Sequence, residues 1–210
     1  MPVIETELND RVLTVTIARP DKANSLTRAM LAELAAIAEK AADQGLAALV
    51  ITGAGRVFSA GADLDEARAG LATDPVWERL STAIAALPCL TIAALNGTLA
   101  GGAFGMVLAC DIRLAVPEAK FFYPVMKLGF LPQPSDPARL VALIGPARAA
   151  MILAAGQKIT ATEAASWGLV ERIVAADAMA AAVLELTEAV RAASPAHVAA
   201  IKAMVTRQPR

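Results

Sequence analysis

The sequence predicts an α/β fold in which a largely parallel sheet, covered by helices, leads into a mostly helical second half. Three observations carry this. Residues 46–52 (LAALVIT) form a continuous apolar run between Gly45 and Gly53, and residues 90–95 (LTIAAL) form another. Such runs mark strands buried on both faces, as in parallel sheets. Segments of helical period alternate with these strands, so βαβ-like units are expected. Beyond about residue 134 nearly every segment reads as helix. At 210 residues the chain suits one domain spanning 1–210. Its hydrophobic fraction of 57%, much of it alanine, can bury a sizeable core and surface between subunits.

Taken in order, residues 2–8 and 11–18 alternate as strands, with Asn9-Asp10 as the tight connection. Pro20 stops the second strand. Thr27 is a helix cap, and Met30, Leu31, Leu34, Ile37 and Ala38 recur at helical spacing as a core stripe until Gly45. The strand 46–52 is followed by the glycine-punctuated loop GAGRVFSAGADL, with a helix starting near Leu64. A helix over 75–87 closes at Pro88; the strand 90–95, a helix over about 101–110 and a strand DIRLAV follow. Helices are expected near 134–144, 145–155, 162–166, 177–193 and 195–206. The Pro132–Pro137 cluster is a loop within the domain.

Composition excludes several function classes. Net charge is −1, from 19 Lys+Arg against 20 Asp+Glu, with no basic stripe to capture nucleic acid. Cys89 and Cys110 lie in apolar runs and read as buried reduced thiols. With His197 the single histidine, Cys and His spacing offers no metal site. The N-terminus, MPVIETELND, is acidic and lacks an apolar h-region, which points to the cytoplasm. Residues 90–110 are uncharged and long enough to span a bilayer, but Asn96-Gly97 and Gly101-Gly102 break the run, so strand, turn and buried helix are expected instead.

Two glycine loops carry the functional signal. Phe58-Ser59-Ala60-Gly61-Ala62-Asp63-Leu64 follows the first buried strand; Asn96-Gly97-Thr98-Leu99-Ala100-Gly101-Gly102 follows the second, closing at Ala109-Cys110-Asp111. With Arg19-Pro20-Asp21-Lys22-Ala23-Asn24-Ser25-Leu26, Lys127-Leu128-Gly129-Phe130-Leu131-Pro132 and Ala161 to Val170, in that order over roughly residues 10–205, the chain resembles the enoyl-CoA hydratase/isomerase (crotonase) superfamily. The resemblance implies a crotonase-like spiral of stacked ββα units with a helical C-terminal part. It also implies assembly as a homotrimer or a hexamer of two trimers, and a fatty or aromatic acyl-CoA thioester as ligand. No cofactor beyond the CoA moiety, no metal and no membrane partner is expected.

By position, the family's two oxyanion-hole amides fall on Ala62 and Gly102. Removing a proton alpha to a thioester, or adding a nucleophile at its beta carbon, drives negative charge onto the thioester oxygen. Two fixed backbone N–H groups stabilise that charge, and losing one costs about 100- to 1000-fold in rate. By the same resemblance Lys22, Ala23 and Leu26 line the CoA site, and Ala60, Asp63 and Leu64 lie where backbone cradles adenine and pantetheine. Each has a plainer alternative. Lys22 is a solvated turn charge, Asn24 braces a turn, Asp63 caps the following helix, Asp111 anchors a strand, and His197 sits on the surface.

The acid/base positions depart from the family. One hydratase glutamate position is Gly105, the other Val125, and the isomerase aspartate position is Gln133. A standard hydratase needs both a base for water and an acid for carbon, so hydration is disfavoured against isomerisation, decarboxylation or thioester hydrolysis. Asp136 is the nearest replacement carboxylate, although Ser135-Asp136-Pro137 also reads as an ordinary helix start, and capping is the preferred role. Tyr123, the single tyrosine, fits ligand orientation or proton donation, and more simply packing with an exposed hydroxyl. Family members usually continue past the helix matching Ser194 to Thr206, so a pocket more open, or closed by a neighbouring subunit, is expected. Two functions follow: an enolate-stabilising enzyme, or a non-catalytic acyl-CoA-binding protein with the same pocket.

Overall fold

The computed structural model describes residues 3–206. Pro2, at the start of the first expected strand, and Arg210 lie outside the described residues. Strands β1 (Ile4–Asn9) and β2 (Val12–Ile17) pair antiparallel, with Asn9 opposite Val12. The connection is therefore Asp10-Arg11, one residue later than expected. Both residues have positive φ, 44° and 62°, which is the primed hairpin turn whose twist matches its strands. Arg11 is held there by its guanidinium, which donates to the carbonyls of Val190 at 3.3 Å and Ala193 at 3.1 Å.

Helix α1 (Arg28–Ala41) begins at Thr27, whose Oγ1 accepts from the Met30 amide at 3.2 Å, as expected of a cap. Strands β3 (Ala48–Gly53) and β4 (Val57–Ser59) lead to the short helix α2 (Leu64–Arg68) and then α3 (Val76–Ala85). Strands β5 (Leu90–Leu95) and β6 (Thr98–Ala100) follow, then a 3-10 turn at Gly101–Ala103 and helix α4 (Phe104–Leu108). The single helix expected over 101–110 is thus a tight turn continued by a short helix.

The second half contains β7 (Ile112–Ala115), β8 (Lys120–Phe122) and the four-residue helix α5 (Val125–Leu128). Helix α6 (Asp136–Leu153) bends at Gly145, φ 79° and ψ 163°, which is why the sequence reads as two segments. After β9 (Ile159–Thr160), α7 (Ala161–Trp167) and β10 (Arg172–Ile173) come α8 (Met179–Ala192) and α9 (Pro195–Thr206).

The strands form two sheets, β1-β2-β3-β5-β7-β10 and β4-β6-β8-β9. From β2 onward the larger sheet is parallel. Its apolar runs are explained by the alternation of side chains between faces. Leu49, Ile51, Ala93, Leu95 and Ala115 enter the main core, whereas Val50, Ile92, Ala94 and Leu114 meet Met179, Val183 and Leu186 of α8. Each fully buried Leu or Ile contributes about 1.5–3 kcal/mol of transfer free energy, and both faces gain it. The 90–110 segment folds as strand, turn and helix, and among the described residues no helix is long and apolar enough to cross a membrane. Cys89 and Cys110 are buried and free, and burial pushes the Cys110 thiol up to about 12.

Candidate active site

Two asparagines set the glycine loops. Asn24 is fully buried, accepts from the Arg19 amide at 2.9 Å and donates to the carbonyls of Ala54 and Val57. Asn96 accepts from the Gly53 amide at 3.0 Å and donates to Gly55 and Val57. Both loops are therefore clamped to the turn between β3 and β4. That pairing aligns β4 with β6 in parallel, Ser59 opposite Leu99. Continuing this register sets Gly61 beside Gly101 and Ala62 beside Gly102. The loops touch closely: a Cβ on Gly61, whose φ is 89°, would lie 2.9 Å from the Ala100 carbonyl. Only glycine meets both conditions cheaply.

The direction of the Ala62 amide follows from its neighbours. The Leu26 amide donates to the Gly61 carbonyl and the Asp63 amide donates to the Leu26 carbonyl, each at 2.8 Å. Amides alternate sides along an extended chain, so the Ala62 N–H points away from Leu26. Ala62 and Gly102 both wall a cavity of about 210 Å³. Gly102 lies in the opening turn before α4, where amides have no intrahelical acceptor. The ring of Trp77 packs on it, 3.2 Å from where a Cβ would stand. The cavity is completed by Ala60 and Leu64, and by Tyr123, Val125, Leu131 and Gln133 from the 120–137 segment. Two larger grooves border α8, but neither is lined by Ala60–Leu64 or Gly97–Gly102.

The structure separates the residues expected to contact CoA. Ala60 and Leu64 line the cavity. Leu26 does not: its side chain is 0% exposed in the core, and its backbone instead brackets Ala62. Asp63 caps α2, accepting from the Asp65 amide at 3.2 Å, and pairs with Arg19 at 2.8 Å. The Arg19 guanidinium, with the Asp65 and Glu66 amides, holds the Asp63 carboxyl below its ordinary range. Lys22 is exposed on the 3-10 turn Pro20–Lys22, next to Ala23 whose carbonyl accepts from the Ala60 amide at 3.0 Å. Asp111 ties β5 to β7, accepting from the Thr91 amide and hydroxyl at 2.8 and 2.9 Å. His197 is exposed.

Asp136 corrects the capping expectation. The residue at the start of α6 is Ser135, and its amide and hydroxyl both donate to Glu78 Oε1 of α3, at 3.0 and 2.8 Å. The cap acceptor thus comes from another helix, and Asp136 turns inward, 1% exposed. Its Oδ2 accepts from the Tyr123 hydroxyl at 3.0 Å, and its Oδ1 has no partner among the described residues. A Cβ on Gly105 would lie 3.0 Å from that oxygen. The carboxylate therefore occupies the side of α4 that the missing side chain of Gly105 leaves open. Burial raises its pKa from 3.8 to about 7, against the Tyr123 hydrogen bond and Arg139, which lower it, and with Glu78, which raises it.

Tyr123 also differs from expectation. Its hydroxyl is not exposed: the residue is 3% accessible, stacks on Phe104 with centroids 5.4 Å apart, and accepts from the Gln133 amide at 3.3 Å. Burial is the main reason its phenol is held above its ordinary range, with the Asp136 charge second. Gln133, at the isomerase-aspartate position, donates from Nε2 to the Ala72 carbonyl at 3.0 Å. Glu78 was missed in the sequence because nothing local links it to Ser135.

Two sheets, glycine loops meeting at an apolar cavity and a helical second half define a crotonase-superfamily fold. Residues 7–210 match the family described as enoyl-CoA hydratase/isomerase, and the chain belongs to that family. A putative enoyl-CoA hydratase/isomerase of Bacillus subtilis is 33% identical over 98% of this chain and 82% of its own. A 4-chlorobenzoyl coenzyme A dehalogenase of an Arthrobacter species is 32% identical over 92% of this chain and 74% of its own. Among solved structures, an enoyl-CoA hydratase/isomerase from Pseudoalteromonas atlantica superposes with a TM-score of 0.90 at 32% identity, covering 97% of this chain and 82% of that one.

Proposed function

We propose that this chain is an acyl-CoA-processing enzyme that removes a proton alpha to a thioester and holds the resulting enolate oxygen between the Ala62 and Gly102 amides. Asp136 is the base. The observation that carries the reading is the Asp136 carboxylate seated against Gly105, buried and with one oxygen unpartnered among the described residues. A buried carboxylate with a pKa near 7 is suited to accept and return a proton at neutral pH. One such group is sufficient for moving a proton within the acyl chain, so isomerisation fits better than hydration. The cavity wall is built mainly from Ala, Leu, Trp and Val side chains, which favours an apolar acyl group. Exposed Leu131, Met204 and Val205 are consistent with assembly as a homotrimer or hexamer.

The test is calorimetric titration with a panel of acyl-CoA thioesters, free CoA as control, and mass spectrometry of the same mixtures. Binding with a new product supports the enzyme and names its reaction. Binding without turnover across the panel makes the chain a non-catalytic acyl-CoA carrier. No binding to any thioester removes the proposal.

A further inference from the structure

Asp136 is not in the cavity wall, being 1% exposed, whereas Tyr123 and Gln133 are. The carboxylate is covered by α4 at Gly105 and hydrogen-bonded by the Tyr123 hydroxyl at 3.0 Å. A directed chain runs from the Gln133 amide to Tyr123 Oη at 3.3 Å and on to Asp136 Oδ2. We propose that Tyr123 is the catalytic residue that meets the substrate, relaying the alpha proton of an acyl-CoA thioester to the buried Asp136. This rests on the acyl-CoA reading above.

The step balances without a further reactant. The alpha C–H bond breaks and its proton passes to Tyr123 Oη, while the tyrosine's own proton crosses to Asp136 Oδ2. The C–H electron pair moves into the enolate, whose oxygen faces the Ala62 and Gly102 amides. The reverse motion returns a proton to carbon. A free phenolate is not an intermediate, since burial beside Asp136 disfavours it. The Gln133 amide, donating to Oη, stabilises charge that develops there as the protons cross. The charged or titratable groups facing Asp136 are Tyr123, Glu78 from α3 and Arg139 from its own helix. Tyr123 stacks on Phe104 of α4 with its hydroxyl on Asp136, the orientation a relay needs.

The test uses butyryl-CoA in deuterated water, with incorporation of alpha deuterium followed by mass spectrometry and binding followed by calorimetry. The wild-type protein is expected to bind the thioester and exchange, with a rate that rises with pH through about 7 and then levels. Tyr123→Phe, which keeps the ring on Phe104, is expected to bind butyryl-CoA as tightly but exchange about 100-fold more slowly. Asp136→Asn is expected to lose exchange comparably together with the pH step, and the double variant to lose little more. Wild-type exchange in Tyr123→Phe with loss in Asp136→Asn overturns the relay, leaving Asp136 to act directly. Wild-type exchange in both variants, or binding without exchange in the wild type, overturns the relay and removes Asp136 from catalysis. Failure of the wild type to bind butyryl-CoA or any longer acyl-CoA overturns the acyl-CoA reading itself.

Discussion

The two polar faces of the cavity are built in opposite ways. The Ala62/Gly102 face is backbone, shaped by two glycine motifs readable in the sequence and clamped by Asn24 and Asn96 across 30 and 43 residues. The opposite face is side chain, Tyr123 in the wall with Asp136 buried behind it, gathered from the 120–137 segment, α4 and α3. Backbone amides tolerate most substitutions that keep the turn. A buried carboxylate tolerates few, because its energy depends on every neighbour. The first face is announced by its glycine motifs although its alignment is long-range, and the second has no motif and depends on packing alone.

The largest expected effect breaks the backbone face. Gly102→Pro deletes an amide donor and pushes a ring toward Trp77, which already lies 3.2 Å from a notional Cβ. Acyl-CoA turnover should fall by about 100-fold or more. A folded variant, judged by circular dichroism, that keeps wild-type binding and turnover would remove the oxyanion-hole assignment.

Asp136→Asn sharpens the comparison through stability as well as rate. The folded pKa of Asp136 is raised from 3.8 to about 7, so the folded state holds its proton more tightly than the unfolded chain. The associated stability is full below about pH 4 and is lost as pH climbs through 7. Asp136→Asn removes that loss. Denaturant unfolding should find it more stable than wild type at pH 8, by as much as roughly 4 kcal/mol, with the gap closing toward pH 4. An unchanging gap across that range would mean that Asp136 does not titrate as described.

Gly105→Ala tests whether the carboxylate needs the space on α4. The added methyl would stand 3.0 Å from Oδ1. Turnover should drop about tenfold if the displacement weakens proton transfer by roughly 1.4 kcal/mol, while acyl-CoA binding holds. Asp63→Ala contrasts the two faces directly, since it removes a cap and the Arg19 pair beneath the first glycine loop. It should cost about 1 kcal/mol in chemical denaturation and leave thioester affinity within twofold; a large affinity loss would restore a direct CoA contact. The smallest effect is expected for Lys22→Ala, exposed on its turn. Stability should not move. A several-fold loss in free-CoA affinity that shrinks at high salt would assign Lys22 to the CoA phosphates, and no loss would make it a solvated turn charge.

Sequence reading went furthest where local chemistry decides structure. Thr27 caps α1, Asp63 caps α2, and the apolar runs at 46–52 and 90–95 are strands buried on both faces. It stopped where two or three residues were too few to show a period. The strands of the smaller sheet span two or three residues each, and their alignment comes from Asn24 and Asn96 gripping the β3–β4 turn. Placing the Asp10-Arg11 turn required knowing that α8 offers carbonyls to Arg11.

By itself, then, the sequence showed the family through the resemblance of its ordered motifs, and determined the α/β order of elements and the two glycine loops because propensity, periodicity and turn chemistry act over neighbouring residues. Only the tertiary structure decided what Asp136 does. A serine–aspartate–proline helix start is locally a cap, but Glu78 supplies the acceptor from α3. With that duty filled, Gly105 leaves room for Asp136 against α4, and Tyr123 supplies its hydrogen bond. Burial then sets its proton affinity, and burial is a property of the packed chain as a whole.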